Sequence, residues 1–234
     1  MKPELMTDIK NAHFEICPDC ACSMFALDSI GRFNNTVRLS AELDETINAV
    51  ALQTALSRAI RKFPYFFVKF YKQGNSFTIL PVNIIPTVYE TRECLNSINS
   101  FNPFTQCSAR VSHFGRVIVF EYSHAVSDAM GGLTFLFRLL SEYFSALHRD
   151  RIRSLIEHDI SVAEQTENGY EKFASGLRTA GKHGKIYKIS GTPCRNINLC
   201  TYRFPTSEIK FFAKYYKVSV TDYISSLLFI ALSK

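Results

Sequence analysis

No apolar run in this chain of 234 residues approaches the ~20 residues that a membrane-crossing helix needs. A spanning bundle is therefore not expected. Met1 to His13 is polar and mixed, and it lacks the apolar heart of a secretory leader. The seven cysteines are odd in number and irregular in spacing, which does not describe a disulfide framework. With no leader, reduced thiols in a cytoplasm are the simplest expectation. The tightest group, Cys17-Pro18-Asp19-Cys20-Ala21-Cys22, has no second paired set to complete a four-ligand zinc site. Cys94, Cys107, Cys194 and Cys200 are single, and no two histidines stand three to five residues apart. No metal is expected, and the cysteine-rich segment reads as a loop. The net charge of +6 is mild for nucleic-acid binding, and no nucleic-acid motif accompanies it. Internal repeats and low-complexity tracts are also lacking. What remains is ordinary globular composition, 47% hydrophobic and 21% charged, and enough chain for one large or two small domains.

Residues 1 to 30 show no clear period and are read as irregular, with short strands at most. Asn35 to Leu39 alternates and is read as a strand. Leu43, Ile47, Val50, Ala51, Ala55, Ala59 and Ile60 fall at helical spacing. Asp44 and Glu45 stand at the start of that stretch, and Arg58, Arg61 and Lys62 at its end, an order that suits the helix dipole. Phe63-Pro64 ends it. Phe66 to Tyr71 and Ser76 to Pro81 predict a hairpin around Gln73-Gly74-Asn75. Residues 84 to 106, with Pro86 and Pro103, are looser. Ser108 to Ser112 and Arg116 to Tyr122 predict a second hairpin around Phe114-Gly115. A helix from Gly132 to Leu147 is apolar on most sides, which predicts burial against a sheet. Arg149 to Pro205 is polar and variable. Two helices, Ser207 to Tyr216 and Thr221 to Leu232, close the chain, and the last is apolar enough to need a cover. The fold class expected is α/β, a mixed β-sheet flanked by helices.

The most informative stretch is Val117-Ile118-Val119-Phe120-Glu121-Tyr122-Ser123-His124-Ala125-Val126-Ser127-Asp128-Ala129-Met130-Gly131-Gly132. An apolar strand ends at His124, Asp128 follows four positions later, and two glycines open the long helix. None of the other five histidines has an Asp at that spacing. An imidazole at a strand end, held by a tight turn, suits a general base that must be accessible and oriented. The pattern alone leaves a second reading open, a strand-to-helix turn whose Asp only caps the helix.

His124-x-x-x-Asp128 after a strand resembles the HxxxD motif of the chloramphenicol-acetyltransferase-like superfamily. That group includes alcohol O-acetyltransferases, plant BAHD acyltransferases, wax-ester synthases and condensation domains. Leu43 to Ile47 through Ala59-Ile60-Arg61-Lys62-Phe63-Pro64 is similar to the family's first helix and its R-x-x-P turn. Gly132 to Leu136 is similar to the helix after the motif, and Val218 to Ile224 to the VTxxDxL helix start that opens the second half. The likeness is strongest to the microbial alcohol-acetyltransferase type, and it covers about half of a typical member.

The resemblance implies one lobe of a two-lobed acyltransferase fold, with residues 1 to 205 as the first lobe and 206 to 234 as the start of a truncated second. It implies acyl transfer, with acetyl the expected group, from acyl-CoA as co-substrate to an alcohol or amine. His124 is then the base, and Asp128 supports the loop through an ion pair. Ser123, Ser127, Gly131 and Gly132 are candidate substrate contacts. A second-lobe chain or a second copy would complete the tunnel. Two positions depart from the family pattern. Ser123 stands where many members have a second His, which argues against a condensation-type lobe. Ala129 stands where many have Gly, so a methyl narrows the approach of the thioester arm. From Lys172 to Ser207 there is no acidic residue, while Lys172, Arg178, Lys182, Lys185, Lys188, Arg195 and Arg203 are basic. That stretch reads as a solvated connector or, less simply, as a surface steering the phosphates of CoA. The alternatives to a CoA-dependent acyltransferase are a non-catalytic lobe that binds a partner and a condensation-type domain served by a carrier-protein thioester.

Overall fold

The computed structural model describes residues 18–30, 35–74, 76–82, 84–91, 102–147, 161–173 and 201–233. Cys17, Cys94, Cys194, Cys200 and the basic residues from Arg178 to Arg195 lie outside the described residues. The chain divides into two units, Met1–Leu177 and Arg178–Lys234.

The first unit is built on a four-stranded sheet in the order β1-β6-β5-β4. Its strands are β1 (Thr36–Glu42), β4 (Tyr89–Glu90), β5 (Ala109–Phe114) and β6 (Val117–Ser123). β6 pairs antiparallel with both β1 and β5, while β4 runs parallel to β5, so the sheet is mixed. A separate antiparallel hairpin joins β2 (Val68–Gln73) and β3 (Ser76–Pro81). Gly74 and Gly115 have φ of +60° and +53°, as the two tight turns require of a residue without a Cβ.

Two long helices, α2 (Ala49–Lys62) and α3 (Ala129–Ala146), pack together and against the sheet. Alternation along β6 sends Ile118, Phe120 and Tyr122 into their shared core. There they meet Leu52, Leu56 and Ala59 of α2, Val111 of β5, and Phe135, Leu136 and Leu139 of α3. Phe66, in a 3-10 turn over Pro64–Phe66, fills the centre, its ring 5.3 Å from Phe120 and 5.2 Å from Phe135.

The opposite face of the sheet holds what the apolar reading of β6 overlooks. Glu121, only 2% exposed, lies across from Arg38 on β1 and Arg110 on β5. Arg38 donates to its Oε1 at 2.6 and 2.9 Å, and Arg110 to its Oε2 at 2.7 Å. A buried carboxylate is tolerated because both oxygens are satisfied by guanidinium groups.

Two expectations are corrected. Residues 1 to 30 are not irregular throughout, because Cys20–Ile30 is a helix, α1. Its amphipathic signal is faint, which explains why periodicity misses it. The first-lobe helix also begins at Ala49 and not at Leu43. The Leu43 and Ile47 N–H groups donate to the Arg116 and Gly115 carbonyls at the β5–β6 turn, 2.9 Å each. Asn48 then caps α2 by accepting from Ala51 N–H at 3.0 Å. Asp44 and Glu45 therefore lie outside the first turn, whereas Arg61 and Lys62 do occupy the last one.

Within the connector, two short helices follow, α4 (Val162–Thr166) and α5 (Gly169–Phe173). The second unit contains α6 (Thr206–Tyr215) and α7 (Val220–Leu232). They meet at a turn in which Lys217 adopts φ 55° and Val218 N–H donates back to the Ala213 carbonyl at 3.0 Å. Ser219 and Asp222 form a capping box at the start of α7. Among the described residues no helix is long and apolar enough to cross a membrane.

Candidate functional site

β6 delivers His124 to the edge of a cleft of about 430 Å³. The strand's hydrogen bonding ends there in a tight turn. His124 N–H donates to the Asn35 carbonyl at 2.7 Å, and Val126 N–H to the Ser123 carbonyl at 3.0 Å. The cleft is lined by His124 to Asp128, by Asp19, Ala21, Cys22 and Phe25 of the N-terminal segment, by Tyr65, and by Gln165 to Glu167 and Tyr170. The fold thus brings three of these stretches, distant in sequence, to the imidazole's own turn.

The His124 ring stacks on Phe25, with centroids 4.2 Å apart and planes inclined by 22°. Its Nδ1 is buried and, among the described residues, makes no hydrogen bond. Burial pushes the Tyr65 phenol up to about 12, with the Ser127 hydroxyl working against the rise and the Asp128 carboxylate adding to it. It is a neutral hydroxyl throughout the physiological range. Burial likewise raises the Cys22 thiol to about 12, with Asp19 adding to the shift. That thiol is the reverse of an activated nucleophile.

Asp128 is exposed at the end of the turn, and its Oδ1 accepts from Gly131 N–H at 2.8 Å. It is therefore the N-cap of α3. Among the described residues Asp128 makes this cap and no ion pair, and the ion pair that the resemblance implies has no partner there. The Asp128 carbonyl also accepts from the Tyr122 hydroxyl at 2.7 Å, tying the helix start to the strand.

Of the other candidate contacts, Ser127 lines the cleft, whereas Ser123, Gly131 and Gly132 do not. Ser123 is buried and its oxygen faces Ala125 N–H. Gly131 and Gly132 serve packing: a Cβ on the first would strike the Ser127 hydroxyl, and one on the second the Tyr122 ring. Phe25 and Tyr65 were missed by sequence reasoning. Tyr65 follows the Phe63-Pro64 helix stop directly, which was its only signal. Among the described residues no group of three or more His, Cys, Asp or Glu is placed to hold a metal ion.

The chain has the α/β fold of one lobe of the chloramphenicol-acetyltransferase-like architecture, which condensation domains share. The starter condensation domain of rhizomide synthetase RzmA aligns with 69% of this chain and 44% of its own, at a TM-score of 0.53 and 11% identity. The X-domain from teicoplanin biosynthesis aligns with 65% of this chain and 37% of its own, at a TM-score of 0.50 and 12% identity. This chain thus spans less than half the length of the structures it resembles. No protein-family model matches it, and no curated protein matches it in sequence.

Proposed function

We propose that the chain is an acyl-transfer lobe in which His124 is the general base. The observation that carries this reading is the placement of a single imidazole at a strand end, on the wall of a 430 Å³ cleft and against an aromatic ring. In the reaction, His124 takes the proton of an acceptor hydroxyl or amine as that group attacks a thioester carbonyl. The new C–O or C–N bond forms, the C–S bond breaks, and the proton passes to the departing thiolate. Nε2 is the working nitrogen, because Nδ1 is buried. Asp128 holds the turn as a helix cap and does not join the chemistry. Tyr65, kept neutral by burial, and Ser127 offer two hydroxyls on the same wall.

The kinship in fold with condensation domains supports a carrier-protein thioester as donor over free acyl-CoA. Ser123 in place of a second His speaks against such a domain less strongly than it did in sequence, because that position is buried away from the cleft. The alcohol-acetyltransferase type, with acetyl-CoA, is the competing donor reading. In enzymes of this class the site lies between two lobes, and this chain spans less than half the length of the structures it resembles, so a second lobe would complete it.

The test is thiol release from a carrier-protein acyl thioester and from acetyl-CoA, each offered alcohols and amines. His124→Ala should lose roughly 10²–10⁴-fold in turnover. Full activity in that variant would remove the assignment. Faster turnover of the carrier-borne donor favours the condensation type, and the reverse favours the acetyltransferase type.

A second reading has its own observation. α7 has no buried residue and exposes Ile224, Leu227, Leu228, Phe229 and Ile230, which suits a non-catalytic lobe that binds a partner. Gel filtration that shows a strict monomer with unchanged His124-dependent turnover would count against it.

A further inference from the structure

An imidazole that acts as a base is usually held in orientation by a hydrogen bond on its other nitrogen. That nitrogen, Nδ1 of His124, is buried without one among the described residues. The torsion about the bond to an aromatic ring is broad, so the side chain has no intrinsic lock on its ring plane. Something else must restrict it.

Three observations converge on α1. The Phe25 ring lies 4.2 Å from the His124 ring with the planes 22° apart, a stacked contact. Asn35 joins the two residues by their main chains: its side-chain amide donates to the Phe25 carbonyl at 3.1 Å, and its own carbonyl accepts from His124 N–H at 2.7 Å. α1 is anchored independently, since Ala26 is fully buried among Val68, Phe70, Ile79 and Ala125, the last of these directly after the histidine. Phe25 is thus fixed at its backbone by Asn35, and along its helix by the neighbouring side chain.

We propose that Phe25 is a positioning residue for the base, its ring setting the plane of the His124 imidazole, with Asn35 fixing the distance between the two backbones. The inference rests on the assignment of His124 as base, yet the ring's confinement can be measured without any turnover. Stacked rings attract one another beyond the area they bury, which biases a soft torsion. A misplacement of about 1 Å can lower a rate by ~10²-fold.

The experiment compares wild type with Phe25→Leu, Phe25→Tyr, Asn35→Ala and, as a control on the exposed side of the same helix, Met24→Ala. The first readout is carbon-13 relaxation of the His124 ring at a pH where the imidazole is neutral. The second is kcat and KM for thiol release from the donor that the wild type prefers. Phe25→Leu should lower the order parameter of the His124 ring and reduce kcat about 10- to 100-fold, leaving KM within about twofold. Phe25→Tyr should restore both, Asn35→Ala should move both in the same direction by less, and Met24→Ala should change neither. An unchanged ring order parameter in a folded Phe25→Leu overturns the proposal, as does unchanged kcat. If Phe25→Leu does not fold, Asn35→Ala decides: full ring order and full kcat in that variant also overturn it. A wild type that turns over no donor rejects the proposed function instead, and the relaxation data then judge the role of Phe25 alone.

Discussion

α3 and α7 both start on a side-chain cap, Asp128 for one and Ser219 for the other, and both carry an almost continuous apolar surface. In α3 that surface is buried: Phe135 and Leu139 are fully enclosed, with the Phe135 ring 4.4 Å from Phe120. In α7 no residue is buried, and Leu228 and Phe229 are 57% and 70% exposed. Local sequence is enough to start and cap a helix, and the capping box of α7 is, if anything, the better formed. What differs is whether another surface removes the apolar face from water. α3 has α2 and the sheet, whose last strand leads into it through the His124–Asp128 turn, whereas among the described residues of its own unit α7 packs on α6, through the stacking of Tyr223 on Phe212 and Tyr216.

The contrast can be broken most directly by truncating one apolar side chain in each helix. Phe135→Ala should cost about 3–5 kcal/mol in urea unfolding, because it opens a cavity at the centre of the core. Leu228→Ala should change stability by no more than about 0.5 kcal/mol. An equal loss at Leu228 would mean that α7 is covered in solution, and the comparison would fail.

Alkaline pH tests the α3 side next. Tyr65 and Cys22 both titrate at about 12 in the folded chain, against ordinary values of 10.0 and 9.0. Between roughly pH 9 and 12 the unfolded chain has released protons that the folded chain retains, so stability falls as pH rises and is fully present below that window. Melting temperature should therefore decline from pH 8 to 11 more steeply in the wild type than in Tyr65→Phe. Identical slopes would show that the phenol is not buried as described.

Exchanging the caps gives the smallest effect and sharpens the reading of the HxxxD motif. Asp128→Ala should cost about 1 kcal/mol, while Asp128→Asn, an equally good cap, should cost almost nothing. Ser219→Ala should lower helix content by circular dichroism and leave the first unit's unfolding unchanged. A large loss for Asp128→Asn would point to an ionic role that the described contacts do not include.

Much of the frame was legible in the residues. Both hairpins fall where Gly74 and Gly115 mark their turns, and the apolar spacing of Ala51, Ala55 and Ala59 marks the buried face of α2. α1 escaped because its residues, CACSMFALDSI, carry no helical period. The start of α2 was placed too early because the Leu43 and Ile47 N–H groups are taken by a turn some 70 residues away in sequence, which local spacing cannot encode.

The candidate site divides along the same line. The residues themselves determined that a strand would end at a histidine and pass through a capped turn into a buried helix, because alternation, glycine and a capping carboxylate act within a few positions. Only tertiary structure decided what surrounds that histidine. Phe25 and Asn35 come from before the first strand, Tyr65 from the 3-10 turn after α2, and Tyr170 from the connector. The partners of Glu121 were settled the same way, by strand register across three strands. The physical reason is range: caps and turns are satisfied by neighbours in sequence, whereas ring stacking, burial and charge pairing are satisfied by whatever the fold brings within a few ångströms.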